Sequence, residues 1–143
     1  MDLHPKRGIR KIKGRRNKSM IAKEKDVFTV GEADKALKEI NRIAGEQIRK
    51  GKNNSFEIKL LNSIKQKSNL LRENPFYGDS IPKRQIPKEL IKKYNLDNLW
   101  RIELSNFWRM LYTIKGNEIE VLCFILEICD HKKYNKLLGY KRK

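Results

Sequence analysis

The sequence predicts an α+β domain built on an antiparallel sheet, and two patterns predict it. From Ala33 to Leu71 apolar residues recur at i, i+3 and i+4, with one break at Arg49-Lys50-Gly51. From Leu99 to Ile114 they alternate with period two, and the run Ile119 to Ile128 is then apolar on both faces. The first pattern belongs to two amphipathic helices and the second to a strand meander. A chain of 143 residues has the length of one domain, so helices and strands are expected to share one core.

Asp26 to Val30 (DVFTV) is a short β-prone run. Thr29 and Glu32 have the form of a capping box, which starts the first helix. Ala33, Leu37, Ile40, Ala44 and Ile48 form one helical face, until Arg49 and Lys50 give a basic last turn and Gly51 a left-handed stop. Asn54 with Glu57 opens the second helix, whose stripe of Phe56, Leu60, Ile64 and Leu71 runs to Asn74-Pro75. Joined by a short loop, the two form an antiparallel hairpin with an apolar face to cover.

Asn74 to Tyr94 holds Pro75, Gly78, Pro82 and Pro87 and reads as mostly loop, with room for a short helix over residues 88–94. Three strands follow. A two-residue turn at Ser105-Asn106 would set Arg109 opposite Ile102 and mix the faces, whereas the three-residue turn Ser105-Asn106-Phe107 pairs Leu104 with Trp108 and Glu103 with Arg109. The three-residue turn is therefore expected. A turn at Gly116-Asn117 leads into the central strand over residues 119–128. His131 to Lys143 carries six basic residues and no acid, with Tyr134, Leu137 and Leu138 at helical spacing, and predicts a short basic tail helix.

Charge narrows the function. Lys and Arg total 34 against 17 Asp and Glu, a formal net charge of +17, which points to a polyanionic partner such as nucleic acid or the ribosome, with a solvated basic surface as the alternative. Residues 1–25 carry ten basic residues against Asp2 and Glu24, with few large apolar residues, and read as a flexible arm that either tracks phosphates or serves as a solubilising tail. No apolar run is long enough for a membrane span or a secretion signal, so a cytoplasmic protein is expected. Cys123 and Cys129 stand too far apart on one strand for a disulfide, and with His4 and His131 alone no zinc constellation or other metal site is expected.

If Trp100, Ile102, Leu104, Trp108, Met110 and Tyr112 face the helices, the opposite sheet face carries Arg101, Glu103, Arg109 and Thr113 side by side. Two explanations stand. One is a cross-strand Glu103–Arg109 ion pair on a solvated face; the other is a phosphate-binding face, because guanidinium groups match phosphate oxygens two at a time. The last strand delivers His131, Lys132, Lys133 and Tyr134 near the same end.

The run NLWRIELSNFWRMLYTIKGNEIEVLCFILEICDHKKY, Asn98 to Tyr134, resembles the three-strand core of the RelE/ParE superfamily of type II toxin-antitoxin toxins. The order of strand, helix hairpin, proline-broken loop, meander and tail helix extends the resemblance over roughly residues 26 to 140, so residues 26–143 are taken as the toxin-like domain and 1–25 as the arm. The resemblance implies a toxin that cuts messenger RNA on the ribosome without cofactor or metal, through attack of a ribose 2′-hydroxyl on the adjacent phosphate. It also implies a cognate antitoxin protein as partner.

The resemblance matches Arg109 to the arginine that contacts the scissile phosphate and Arg101 to a basic position of the preceding strand. Glu103 stands where a second lysine is common, and serves as a base or marks weakened cleavage. His131 and Tyr134 are the nearest match to the Arg or His and the Tyr beyond the last strand, His131 as acid and Tyr134 as a base with Lys132 and Lys133 as its cationic neighbours. For Tyr134 the alternative is packing of the tail helix on the sheet, and for His131 a strand-end cap. Lys83 and Arg84 are expected RNA or ribosome contacts, with a solvated loop as the alternative. Two other functions remain open: a ParE-like inhibitor of a DNA topoisomerase, and an RNA- or ribosome-binding protein without catalysis.

Overall fold

The computed structural model describes residues 24–139. Most of the basic arm and the end of the tail lie outside the described residues. Glu24 and Lys25, assigned to the arm from composition, are instead the first residues of a strand, β1 (Glu24–Thr29). The elements then run α1 (Gly31–Arg49), α2 (Phe56–Glu73), β2 (Asp79–Ser80), α3 (Lys88–Tyr94), β3 (Trp100–Glu103), β4 (Arg109–Gly116), β5 (Glu120–Cys129) and α4 (His131–Leu138). The class is the expected α+β, in the expected order.

The five strands lie in the order β1-β5-β4-β3-β2. The meander β3-β4-β5 is antiparallel, and its register sets Glu103 opposite Arg109 across the three-residue turn. β1, however, runs parallel to β5, Val27 beside Cys123, so the sheet is mixed. The helix hairpin carries the chain back across one face before the meander begins, and β1 adds to the far side of β5, the strand that is apolar on both faces.

Local chemistry places the helix ends a residue or so from the sequence expectation. Thr29 and Glu32 form no capping box; Val30 is the N-cap of α1, and the Thr29 hydroxyl donates to the Asp34 carboxylate at 2.9 Å. Ser55 rather than Asn54 caps α2, its hydroxyl accepting from the Ile58 amide at 3.1 Å. Gly51 takes φ +85°, the left-handed stop expected of it. Ile48 stays exposed, Phe56 sets its ring against Trp108 at 5.9 Å between centroids, and Ile58 and Leu61 are buried in addition to the expected stripe.

The expected single core is two cores, one on each sheet face. α1 and α2 cover the first with Ala33, Ile40, Ala44, Leu60, Ile64 and Leu71 against Ile102, Met110, Tyr112, Cys123 and Ile125. The other face is not solvated along its length. Ile81, Ile86, Leu90, Tyr94, Leu99, Leu111, Phe124, Tyr134 and Leu138 form a second core beneath the proline-broken loop, α3 and α4. Thr113, expected on the open face, is fully buried there and its hydroxyl bonds the Asn98 carbonyl at 2.9 Å.

A bulge in β5 decides which side chains reach that second face. Tyr112 pairs with Ile125 but Leu111 with Glu127, so Leu126 is an extra residue and the alternation reverses beyond it. In an unbroken ladder Glu127 would point into the helix-hairpin core; here it joins the face of Leu111 and Arg109, with Cys129 two residues on.

Candidate functional site

Two cross-strand rungs set the site. Glu103, Arg109 and Cys129 stand in one line across β3, β4 and β5, and Asp79, Arg101, Leu111 and Glu127 in the next across β2 to β5. Their side chains leave the sheet on the side away from the hairpin. α4 closes over the rungs because Asp130 caps it, the carboxylate accepting from the Lys133 amide at 2.9 Å, and because Tyr134 and Leu138 are one helical turn apart on its buried side.

Tyr134 is the point where the arginines meet. It is 1% exposed. Arg101 Nη1 donates to its hydroxyl at 2.8 Å, and the Arg109 guanidinium lies over its ring, 4.7 Å from the centroid. A planar delocalised cation is attracted by the negative ring face, so one tyrosine fixes one arginine by its hydroxyl and the other by its π-system. Arg101 also has Asp79 at 3.7 Å, a partner from the two-residue strand β2 that the sequence pattern did not disclose.

Arg109 is only 18% exposed at its side chain, with Nη2 3.3 Å from Glu103 and Nη1 donating to the Phe107 carbonyl at 3.2 Å. Its Nε is buried with no acceptor. The expected Glu103–Arg109 ion pair is therefore present, but Glu103 is 68% exposed at its side chain, and such a pair is worth about 1 kcal/mol or less. Its carboxylate can turn to another partner at little cost.

His131 opens α4 at the surface, and its ring meets the Phe107 ring edge-on at 6.3 Å between centroids. Through these contacts Arg101, Tyr134, Arg109, Phe107 and His131 form a continuous chain, with Glu103 branching from Arg109. The two lysines beside it divide. Lys132 is exposed and, with Glu89, Asp130, Lys133, Lys136 and Leu137, lines an open cleft of ≈ 810 Å³ beside α4. Lys133 instead reaches back to Glu127 at 3.3 Å. Burial pushes the Glu127 carboxyl up and Lys133 offsets part of that; burial pulls the Lys133 ammonium down, and the attraction of Glu127 outweighs it, leaving it raised.

Lys83 and Arg84 lie in a 3-10 turn, Lys83–Gln85, between β2 and α3. Both are exposed, and the turn is anchored on either side by Ile81 and Ile86, buried in the second core. Sequence reasoning missed Asp79, Phe107 and Glu127. Glu127 had a readable signal as the only charge between Val121 and Cys129, in a run otherwise apolar.

No family model and no curated protein matches the sequence. Among solved structures, a YoeB/ParE toxin from Agrobacterium tumefaciens is similar, at 11% identity and a TM-score of 0.48, over 74% of this chain and 98% of that one. At that identity no side-chain role passes from that chain to this one.

Proposed function

We propose that this protein is the toxin of a type II toxin-antitoxin system and an endoribonuclease that cuts messenger RNA on the ribosome. The observation that carries the reading is the convergence of Arg101 and Arg109 on Tyr134, beside the exposed Glu103 and His131. It joins the sequence resemblance and the net charge of +17 in favouring an RNA substrate. Arg109 is the group for the scissile phosphate: its guanidinium is preorganised by the Tyr134 ring, and its Nη2 is held only by the exposed Glu103 carboxylate.

In this reaction Glu103 takes the proton of the ribose 2′-hydroxyl as its oxygen bonds to the adjacent phosphorus. The bond from phosphorus to the 5′ oxygen breaks, and His131 gives that oxygen its proton. The products are a 2′,3′-cyclic phosphate and a 5′-hydroxyl. Tyr134, buried and engaged by both arginines, acts as a positioning residue rather than as the base that the resemblance implies. Lys83, Arg84 and Lys132 supply phosphate contacts along the strand, whereas Lys133 holds Glu127 and α4 in place. The cognate antitoxin is an acidic protein segment that covers the basic face, and the toxin works in the cytoplasm. No described helix is long and apolar enough to cross a membrane.

The test is cleavage of a defined mRNA on programmed ribosomes, with free mRNA and Arg109→Ala as controls. New ends carrying 2′,3′-cyclic phosphate, absent with the variant, are expected. Uncut mRNA with growth arrest on induction would favour a topoisomerase-directed toxin. Uncut mRNA without arrest would favour a non-catalytic RNA-binding protein.

A further inference from the structure

The turn between β3 and β4 presents an aromatic ring where neither packing nor backbone preference asks for one. Phe107 is 71% exposed, and its φ of +65° follows that of Asn106 at +55°. Two successive left-handed residues suit Asn or Gly; a phenylalanine there pays for a conformation that its Cβ disfavours and for apolar surface left in water. The turn itself is closed without the ring, by the Trp108 amide to the Ser105 carbonyl at 3.2 Å. The ring is nonetheless held in place: Arg109 binds the Phe107 carbonyl at 3.2 Å, and the His131 ring stands against it edge-on.

We infer that Phe107 is a stacking platform for one nucleobase of single-stranded RNA, with His131 as its side wall. The inference rests on the RNA reading above and adds to it a base-contacting residue. Single-stranded nucleic acid is held by cationic groups that track phosphates and by aromatic faces that carry bases. Here the two are joined through one backbone carbonyl: the guanidinium assigned to a phosphate is bonded to the residue that offers the ring. A stacked base accepts any sequence, so Phe107 sets affinity and strand position rather than a hydrogen-bonded base code.

The experiment uses a short RNA with 2′-O-methyl riboses throughout, which has no nucleophile and cannot be cut, carrying one 2-aminopurine whose fluorescence falls on stacking. Titration with the full chain is expected to quench the probe. Phe107→Ala should lose the quench and weaken binding about tenfold, with an unchanged urea midpoint because the side chain is exposed; Phe107→Tyr should keep both. The inference is overturned by a wild type that does not quench the probe at any position, or by Phe107→Ala that quenches and binds like wild type. Unchanged RNA binding with loss of a co-expressed acidic partner would assign the ring to a protein contact, and would also overturn it. Because the strand is uncleavable, a failed ribosome assay with the quench intact refutes the nuclease and leaves the platform standing.

Discussion

The Arg109 guanidinium lies 4.7 Å above the centre of the Tyr134 ring, and the hydroxyl of the same ring takes a hydrogen bond from Arg101 at 2.8 Å. Separating the two functions of that ring is a direct test of how the arginines are held. Tyr134→Phe keeps the face under Arg109 and removes the acceptor of Arg101, with an expected loss of about 1.5–3 kcal/mol for a charge-assisted hydrogen bond. Tyr134→Ala removes the face as well and empties a fully buried site, with an expected loss of about 3–5 kcal/mol. Urea unfolding checks the order; equal midpoints for wild type and Tyr134→Phe would mean that the hydrogen bond contributes nothing.

Arg109→Ala should lower the ribosome-dependent cleavage rate by about 100- to 1000-fold, the range for loss of a preorganised charge stabiliser. Arg109→Lys should restore little of it, because an ammonium neither stacks on Tyr134 nor offers two parallel donors to a phosphate. Single-turnover rates on programmed ribosomes check both. A lysine variant with near-wild-type rate would show that point charge alone is sufficient.

Glu127 gives stability a pH dependence of known sign. Burial raises its folded-state value above that of an ordinary carboxylate, so the folded protein holds this proton more tightly than the unfolded chain. Its contribution to stability then falls as pH rises from the ordinary carboxylate value, about 4.3, through the raised one. Glu127→Gln should flatten that fall. Lys133→Met should do the opposite, leaving the buried carboxylate unpaired, and its deficit against wild type should shrink toward acid pH as Glu127 becomes neutral. Urea midpoints between pH 4 and 8 for the three proteins decide it.

Cys123 and Cys129 act at the alkaline end. Burial pushes both thiols up to about 12 in the folded protein, whereas an unfolded thiol ionises near about 8.5. Stability should therefore decline as pH rises from that value toward 12, at about 1.4 kcal/mol per pH unit for each thiol. Cys123→Ala should halve the thiol part of the slope. In the native state at neutral pH neither thiol should react with a disulfide reagent on the timescale at which both react in denaturant.

Gly78 is needed for a close approach. A Cβ there would meet the backbone oxygen of Arg101 and lie 2.7 Å from the Tyr112 hydroxyl, which accepts from the Gly78 amide at 3.0 Å and donates to the Pro75 carbonyl at 2.9 Å. Gly78→Ala should cost about 1–3 kcal/mol by overpacking. It should also loosen β2, and with it the Asp79 contact to Arg101; hydrogen exchange at the Ile81 amide, bonded to Leu99, reports the loosening.

Periodicity in the sequence determined the helix hairpin, the three meander strands and the register that sets Glu103 opposite Arg109. Each of these is a local matter, fixed by side-chain alternation and turn length within a dozen residues. Legible in the same way were the two arginines on one sheet face and the tail helix that brings His131 and Tyr134 to them. Tertiary structure alone decided the rest. The parallel pairing of β1 with β5 joins segments about a hundred residues apart in sequence, and no local pattern encodes such a pairing. The bulge at Leu126 changes the side of Glu127 by one residue's register, which a run apolar on both faces leaves undetermined. Whether Tyr134 is exposed chemistry or a buried support for two guanidinium groups depends on what lies above it, and the second core, assembled from the proline-broken loop, α3 and α4, supplies that cover.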